Sequence, residues 1–227
     1  METFAGVYFI PEVARYLWAT GPEMRRPSYR SLLRWITSGL LRPLATTQSG
    51  RERWVTFEDL ISLRMLVALR QAGFSLQHIR RVHAWLEEAS RYPRPFALQD
   101  LWLGETEIFI QMEQSLVSAS REGQYAFEIV RAWLRHLPRL EIADMAFERK
   151  VNGKHVASRW RPCPGIVLDP QVQFGSPCIE STRIPTSAVW SMVRAGDSEE
   201  SVARAYGIPL HKVQAAVEWE KRLAKVS

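Results

Sequence analysis

An α+β fold is what this sequence predicts, and three observations carry the prediction. Up to Glu88, helix starts and stops succeed one another with little room left for strands. The middle holds a strand-like run from Glu107 to Met112 and an Asn152-Gly153 dipeptide suited to a tight chain reversal. From Thr186 onward, three short helical segments are punctuated by Gly196 and Gly207.

In chain order, Pro11 suits the first turn of a helix that Glu12 to Trp18 continue. A loop from Ala19 to Pro27 follows, interrupted by Gly-Pro and Arg-Pro. Ser28 caps the next helix, which runs to about Ser38 and is closed by Gly39. The Pro, Gly and Thr residues between Arg42 and Val55 predict a loop or a small β-wing. Thr56, with Asp59 three residues on, opens a helix to about Ala72; Gly73 ends it, and Ser75 caps another running to about Glu88.

Tyr92-Pro-Arg-Pro95 breaks the helical pattern and predicts a boundary. The expected domains are therefore residues 1–92, an α+β connecting domain at 96–165, and a trihelical domain at 166–227. In the middle, Tyr125 to Leu137 reads as helical around Val130, Trp133, Leu134 and Leu137. Met145–Lys150 and His155–Trp160 are the expected arms of the hairpin. At the C-terminal end, Thr186 or Ser187 caps a helix ending at Gly196. Ser198 caps the next, and Pro209 starts the last, which reaches Leu223. Glu220 falls on the apolar side of that last helix, so bending or fraying is expected there.

Composition narrows the function classes. Apolar residues make up 46% and charged residues 24%, ordinary for a globular chain of 227 residues. No run approaches the roughly 20 apolar residues of a membrane span, and the first residues do not read as a secretion signal, so a cytoplasmic protein is expected. The net charge of +6 favours acidic partners, nucleic acid among them, although arginine bias can also reflect base composition. Cys163 and Cys178 are too few for a disulfide framework, and Cys178 reads as a buried structural thiol without a base beside it. His78, His83, His136, His155 and His211 have no zinc-binding spacing with these cysteines. Asp100, Asp144, Asp169 and Asp197 are scattered. No enzyme, metal or cofactor is expected. Among the tryptophans, Trp85, Trp133 and Trp190 sit at core-compatible positions, whereas Trp35, Trp54 and Trp219 are candidates for interface contacts.

The Ser28–Ser38 helix has the division a DNA-reading helix needs. At 100° per residue, Tyr29, Leu32, Leu33 and Ile36 share one side, and Arg30, Arg34 and Thr37 the other. A planar guanidinium suits phosphate oxygens or a guanine edge, and Arg51 and Arg53 in the expected wing could clamp the backbone beside it. The residues Ile10-Pro-Glu-Val-Ala14, Gly39-Leu-Leu41, Arg53, the Thr56–Leu60 helix start and Gly73-Phe-Ser-Leu-Gln-His-Ile79 resemble the MerR-type winged helix-turn-helix. The resemblance implies DNA contacts by the recognition helix and wing, carried over here to Arg34 and Arg53; Tyr29, Arg30, Thr37 and Arg51 join them as candidates from their place on that helix and wing. Three departures stand out. The Ala19–Pro27 loop is longer than the family's turn. Leu33 stands where the family has arginine. Pro93 and Pro95 cut off the family's long dimerisation helix.

The C-terminal region carries a second helix-turn-helix signal: Ala203, Gly207 and Val213 supply a small contact residue, a left-handed turn and an apolar anchor. His211, Lys212 and Gln214 on its last helix are further DNA candidates, but Glu218 beside them would repel phosphate. The residues Ile166-Val-Leu-Asp-Pro170, Phe174-Gly-Ser-Pro177, Ile179 and Thr182-Arg-Ile-Pro185, with the helices behind them, are similar to the trihelical domain of unknown function 433. Ser181 replaces the glycine usual before Thr-Arg, and a Cβ there resists positive φ.

With the MerR-like front, the whole chain resembles VapB-type antitoxins. That resemblance implies a homodimer that binds its own operator and neutralises a VapC-like PIN-domain ribonuclease. Arg183, on the proline-rigidified segment, and Trp219, beside a polar face, are the partner-contact candidates. The alternatives are a stand-alone MerR-like regulator whose middle domain senses a small molecule, and an adaptor that uses both helical units for protein contacts.

Overall fold

The computed structural model describes residues 6–20, 28–37, 54–71, 73–98 and 144–225, together with the backbone of four strands between residues 101 and 125. In chain order the elements are β1 (Val7–Phe9), α1 (Ile10–Thr20), α2 (Tyr29–Thr37), β2 (Trp54–Thr56), α3 (Phe57–Gln71) and α4 (Leu76–Ser90). The strands β3 (Leu101–Leu103), β4 (Ile108–Met112), β5 (Ser115–Ser118), β6 (Gln124–Tyr125), β7 (Met145–Ala146), β8 (Arg149–Val151) and β9 (Lys154–Val156) follow. Last come β10 (Arg159–Cys163), β11 (Ile166–Leu168), β12 (Cys178–Ile179), α5 (Thr186–Ala195), α6 (Glu199–Tyr206) and α7 (Leu210–Ala224). The α+β class and the helix-turn-helix elements are those expected.

The chain forms two compact units. One combines residues 1–32, 44–57 and 159–227; the other holds residues 33–43 and 58–158. This division does not follow the sequence-predicted limits at 92 and 166.

In the first unit, β1 pairs antiparallel with β2, with Tyr8 opposite Val55. The Glu12 carboxylate accepts the Phe9 N–H at 2.9 Å, satisfying one of the orphan donors at the start of α1. Ile10, Val13, Ala14 and Leu17, spaced for one helical face, are buried, and α1 lies on α7 with the Tyr16 and Trp219 rings 6.1 Å apart. Tyr8 is buried and donates its hydroxyl to the Gly175 carbonyl at 3.0 Å.

The strands β10, β11 and β12 form an antiparallel meander, Trp160 opposite Leu168 and Ile166 opposite Ile179. Behind it, α5 ends on Gly196 in the left-handed region. Ser198 accepts the Ser201 N–H to cap α6, and Gly207 supplies the left-handed turn into α7. Val189, Val202, Val213, Ala216, Val217 and Trp219 close this core.

Two local expectations are corrected here. Thr186 is the first residue of α5 rather than its cap, which is Pro185. Its hydroxyl reaches the Glu220 carboxylate. The inward Glu220 therefore has a hydrogen-bond partner, and α7 continues unbroken past it to Ala224.

The second unit is built on α3 from Glu58 onward and α4, which Ser75 caps by accepting the His78 N–H as expected. Tyr92-Pro-Arg-Pro95 lies inside this unit. The Tyr92 hydroxyl donates to Glu58 at 2.6 Å, Arg94 Nε reaches Asp59 Oδ1 at 2.7 Å, and Phe96 and Ala97 are buried. The Ala97 carbonyl then accepts the Ala157 N–H at 2.9 Å. Pro95 starts a single 3-10 turn, Pro95–Ala97, that is held by its surroundings. The expected hairpin is present as β8 and β9, shorter than predicted, with Asn152 and Gly153 both at positive φ (49° and 79°). The Glu107–Met112 expectation corresponds to β4, in the antiparallel order β3-β4-β5-β6. Tyr125 ends β6, and the rest of the expected Tyr125–Leu137 helix lies outside the described residues.

Candidate nucleic-acid interface and partner surface

The helix α2 is opened by Ser28, whose side chain accepts the Ser31 N–H at 3.2 Å. Its buried positions are Leu32, Trp35 and Ile36. Tyr29, Arg30, Arg34 and Thr37 are exposed, so the four DNA candidates of this helix share its open side. Tyr29 and Trp35 thus exchange the roles the sequence suggested: Tyr29 is open and Trp35 is packed. No acidic residue lies in α2. Among the described residues, neither the Arg30 nor the Arg34 guanidinium makes an ion pair or hydrogen bond. Two guanidiniums one helical turn apart, with no carboxylate on their own helix, form a surface suited to phosphate. Arg51 and Arg53 lie outside the described residues.

The face of α7 is different. His211 and Gln214 are exposed, but Lys212 is half-buried and its Nζ donates to the Glu180 carbonyl at 3.0 Å. Lys212 therefore ties α7 to the turn after β12. Exposed Glu218, paired with Arg222 at 3.2 Å, and the Glu199 and Glu200 pair in the first turn of α6 add negative charge nearby. That charge disfavours phosphate. Trp219, expected at a partner contact, is fully buried against α1, so it cannot meet a partner while the unit is folded. The signal that misled was its place beside a polar helix face; its true neighbour is about two hundred residues away in sequence.

Between β11 and α5 the chain is fixed by many short-range bonds. The Gln171 N–H donates to Asp169 Oδ1 at 2.8 Å, and Gln173 Nε2 donates to the Arg183 carbonyl at 3.1 Å. Thr182 donates its hydroxyl to the Ile179 carbonyl at 2.8 Å and accepts the Ile184 N–H at 3.1 Å. Arg161 and Glu180 pair at 2.6 Å. Ser181 takes φ 62° despite its Cβ, so the turn keeps a left-handed geometry at a cost of about 1–2 kcal/mol. Arg183 is exposed on this segment. Three consecutive residues, Gln173, Phe174 and Gly175, have φ of 48°, 57° and 87°. Phe174 is 72% exposed, a feature with no local sequence signal beyond its place in the Phe-Gly-Ser-Pro run.

Burial pushes the Cys178 thiol up to about 11, partly offset by Arg183, so it stays protonated near neutrality and is a poor nucleophile. Among the described residues, no group of three or more His, Cys, Asp or Glu could hold a metal ion. No helix of the described residues is long and apolar enough to cross a membrane.

Comparison with known proteins gives two family matches. Residues 26–84, from just before α2 into α4, match the MerR HTH family regulatory proteins, and residues 166–219 match a protein family of unknown function, DUF433. The chain is 25% identical to the Mycobacterium tuberculosis protein named "Putative antitoxin VapB45", over 93% of this chain and 92% of that protein. It is 28% identical to the uncharacterized protein Rv2308 of the same organism, over 81% of this chain and 79% of that protein. The crystal structure of Rv2018 from Mycobacterium tuberculosis shares the fold, with a TM-score of 0.60 at 24% identity, over 92% of this chain and 96% of that one. The chain thus carries a MerR-type helix-turn-helix in its N-terminal part and a DUF433 domain toward its C-terminal end.

Proposed function

We propose that this chain is a DNA-binding antitoxin of the cytoplasm. In this reading α2 holds it, as a homodimer, on the operator of its own gene, where it represses transcription. The Arg183 segment blocks the acidic, metal-binding site of a VapC-like PIN-domain ribonuclease. The observation that carries the DNA half is the open face of α2. Arg30, Arg34 and Thr37 point to solvent together, in a segment matched by a regulatory helix-turn-helix family. The partner half is supported by similarity along most of the chain to a protein named as an antitoxin, and by an exposed guanidinium on a rigid segment.

The test has two arms. Replacing Arg30 and Arg34 with alanine should weaken binding to a duplex of the upstream promoter and reduce the slope of log K against log salt by about 2, near 0.9 for each phosphate no longer neutralised. An unchanged slope and affinity would reject α2 as the reading element. Co-expression with the product of the adjoining reading frame should relieve its toxicity and yield a stable complex. A chain that binds the promoter yet neither binds nor detoxifies that product is instead a stand-alone MerR-like regulator.

A further inference from the structure

The hairpin of β8 and β9 has a fixed base and a charged tip. Among the described residues it is a two-stranded sheet of its own. Contacts from three directions hold the base. The Arg149 guanidinium pairs with Glu58 of α3, Val156 bridges to Leu98, and the Ala157 N–H donates to the Ala97 carbonyl. His155 Nδ1 donates to the Phe147 carbonyl at 2.9 Å. Beyond that base Lys150, Asn152 and Gly153 are exposed, and a Cβ added at Gly153 would meet nothing within 4 Å. The charge of Arg149 is spent on Glu58, but Lys150 and Lys154 are not so engaged. Among the described residues, neither ammonium makes an ion pair or hydrogen bond. Two of the chain's five lysines are thus placed on one short ribbon, where Glu148 is the only carboxylate between residues 145 and 158. A lysine ammonium is a compact point charge on a flexible stem, suited to phosphate oxygens without a fixed docking angle.

Register decides what such a tip fits. Lys150 stands opposite His155, and Val151 stands opposite Lys154. Side chains alternate between the faces of a strand, so the two lysines belong to opposite faces of the ribbon. A flat acidic patch on a protein meets one face only. A slot with negative charge on both walls meets both. The major groove of duplex DNA is such a slot: it is about 12 Å wide, is bordered by phosphates, and admits a two-stranded ribbon, whereas the minor groove at about 6 Å does not. The hairpin lies outside both family-matched segments, residues 26–84 and 166–219. We propose that the β8–β9 hairpin enters the major groove of duplex DNA as a second, sequence-independent contact. Lys150 meets the phosphates of one strand and Lys154 those of the other. This rests on the DNA-binding reading and adds to it a contact that holds the chain on any duplex, apart from the reading helix α2.

The experiment uses the full-length chain, a duplex of the upstream promoter and an unrelated duplex of the same length, with affinity measured by fluorescence anisotropy across a salt series. Glutamine removes each charge while keeping the aliphatic stem, which matters at half-buried Lys154. Lys150→Gln and Lys154→Gln should each lower the slope of log K against log salt by about 0.9 on both duplexes, and the double variant by about 1.8. In 0.1 M salt the double variant should bind both duplexes roughly 30- to 100-fold more weakly, leaving the preference for the promoter unchanged. Its melting temperature should match that of the wild type, and replacing both lysines with arginine should keep slope and affinity. If the wild type binds and the double variant binds with the same slope, the hairpin contact is rejected and the reading of α2 stands. A slope change from one lysine alone would overturn the two-walled fit, and a loss confined to the promoter would overturn sequence independence. If DNA binding is untouched while the complex with the product of the adjoining reading frame weakens, the hairpin belongs to a protein interface and the proposal fails. A wild type that binds neither duplex would bring down the DNA-binding reading itself.

Discussion

Replacing Gly175 with alanine should be among the most damaging small changes in the chain, and its interaction with Tyr8 can be measured. A Cβ at residue 175 would stand 2.1 Å from Tyr8 Oη and 2.8 Å from Cζ, at a backbone φ of 87°. The left-handed backbone alone costs an alanine about 1–2 kcal/mol. Relieving the overlap must push the ring away, breaking a buried hydrogen bond and stranding both of its ends, for about 1–3 kcal/mol more. The sum is about 2–5 kcal/mol, or a fall in melting temperature of about 4–20 °C for a protein of this size. Tyr8→Phe alone should cost about 1–2 kcal/mol, because the Gly175 carbonyl loses its donor. Together the two changes should cost less than their sum by about 1–2 kcal/mol, since the hydroxyl that made the worst overlap is gone. Denaturant titrations of the wild type, both single variants and the double variant, followed by circular dichroism, give the coupling directly. Additivity within about 0.5 kcal/mol would refute the Tyr8 overlap as the source of the damage.

Two further outcomes follow from the same unit. Trp219→Ala should lower stability by about 3–5 kcal/mol, as expected for emptying a fully buried site of that size; a variant that melts like the wild type would restore Trp219 to the surface. Burial raises the Glu220 carboxyl above its ordinary value, with the Thr186 hydrogen bond and Arg15 opposing the shift. A carboxyl raised in the folded state contributes stability that is complete below its unfolded value and is lost as pH climbs through the folded one. Glu220→Gln should therefore stabilise the chain at pH 7 and leave it little changed at pH 4. The reverse order of melting temperatures would mean that the Arg15 and Thr186 interactions outweigh burial.

What the sequence disclosed was local. Ser28, Ser75 and Ser198 cap the helices they were expected to cap, Asn152-Gly153 turns the hairpin, and Gly196 and Gly207 end the helices before them. Each of these signals works within four residues, so it is written in the chain itself. The exposed face of α2 was legible for the same reason, since helical periodicity sorts Arg30 and Arg34 from Leu32 and Ile36. Tyr8, Trp219 and the prolines at 93 and 95 were not legible. Tyr8 meets Gly175 across 167 positions, and nothing near either residue announces the other. Pro93 and Pro95 looked like a linker because a broken helix reads the same whether the break is solvated or packed; here Arg94 is buried against Asp59. Lys212 holds a backbone carbonyl, a partner that no residue pattern encodes.

The interleaving of the two units sets a timetable for synthesis. The strand β1 and helix α1 leave the ribosome early and β2 soon after, but α7, which covers α1, is made last. At about 5–20 residues per second, the roughly 190 residues between α1 and α7 keep the apolar face of α1 waiting roughly 10–40 s. During that interval Ile10, Val13 and Leu17 lack the α7 surface that will bury them, and the nascent chain is open to chaperones and proteases alike. A transcript truncated before α7 would release a chain in which β1 has β2 to pair with but α1 lacks its cover. A full-length molecule that loses α7 would return to that same state.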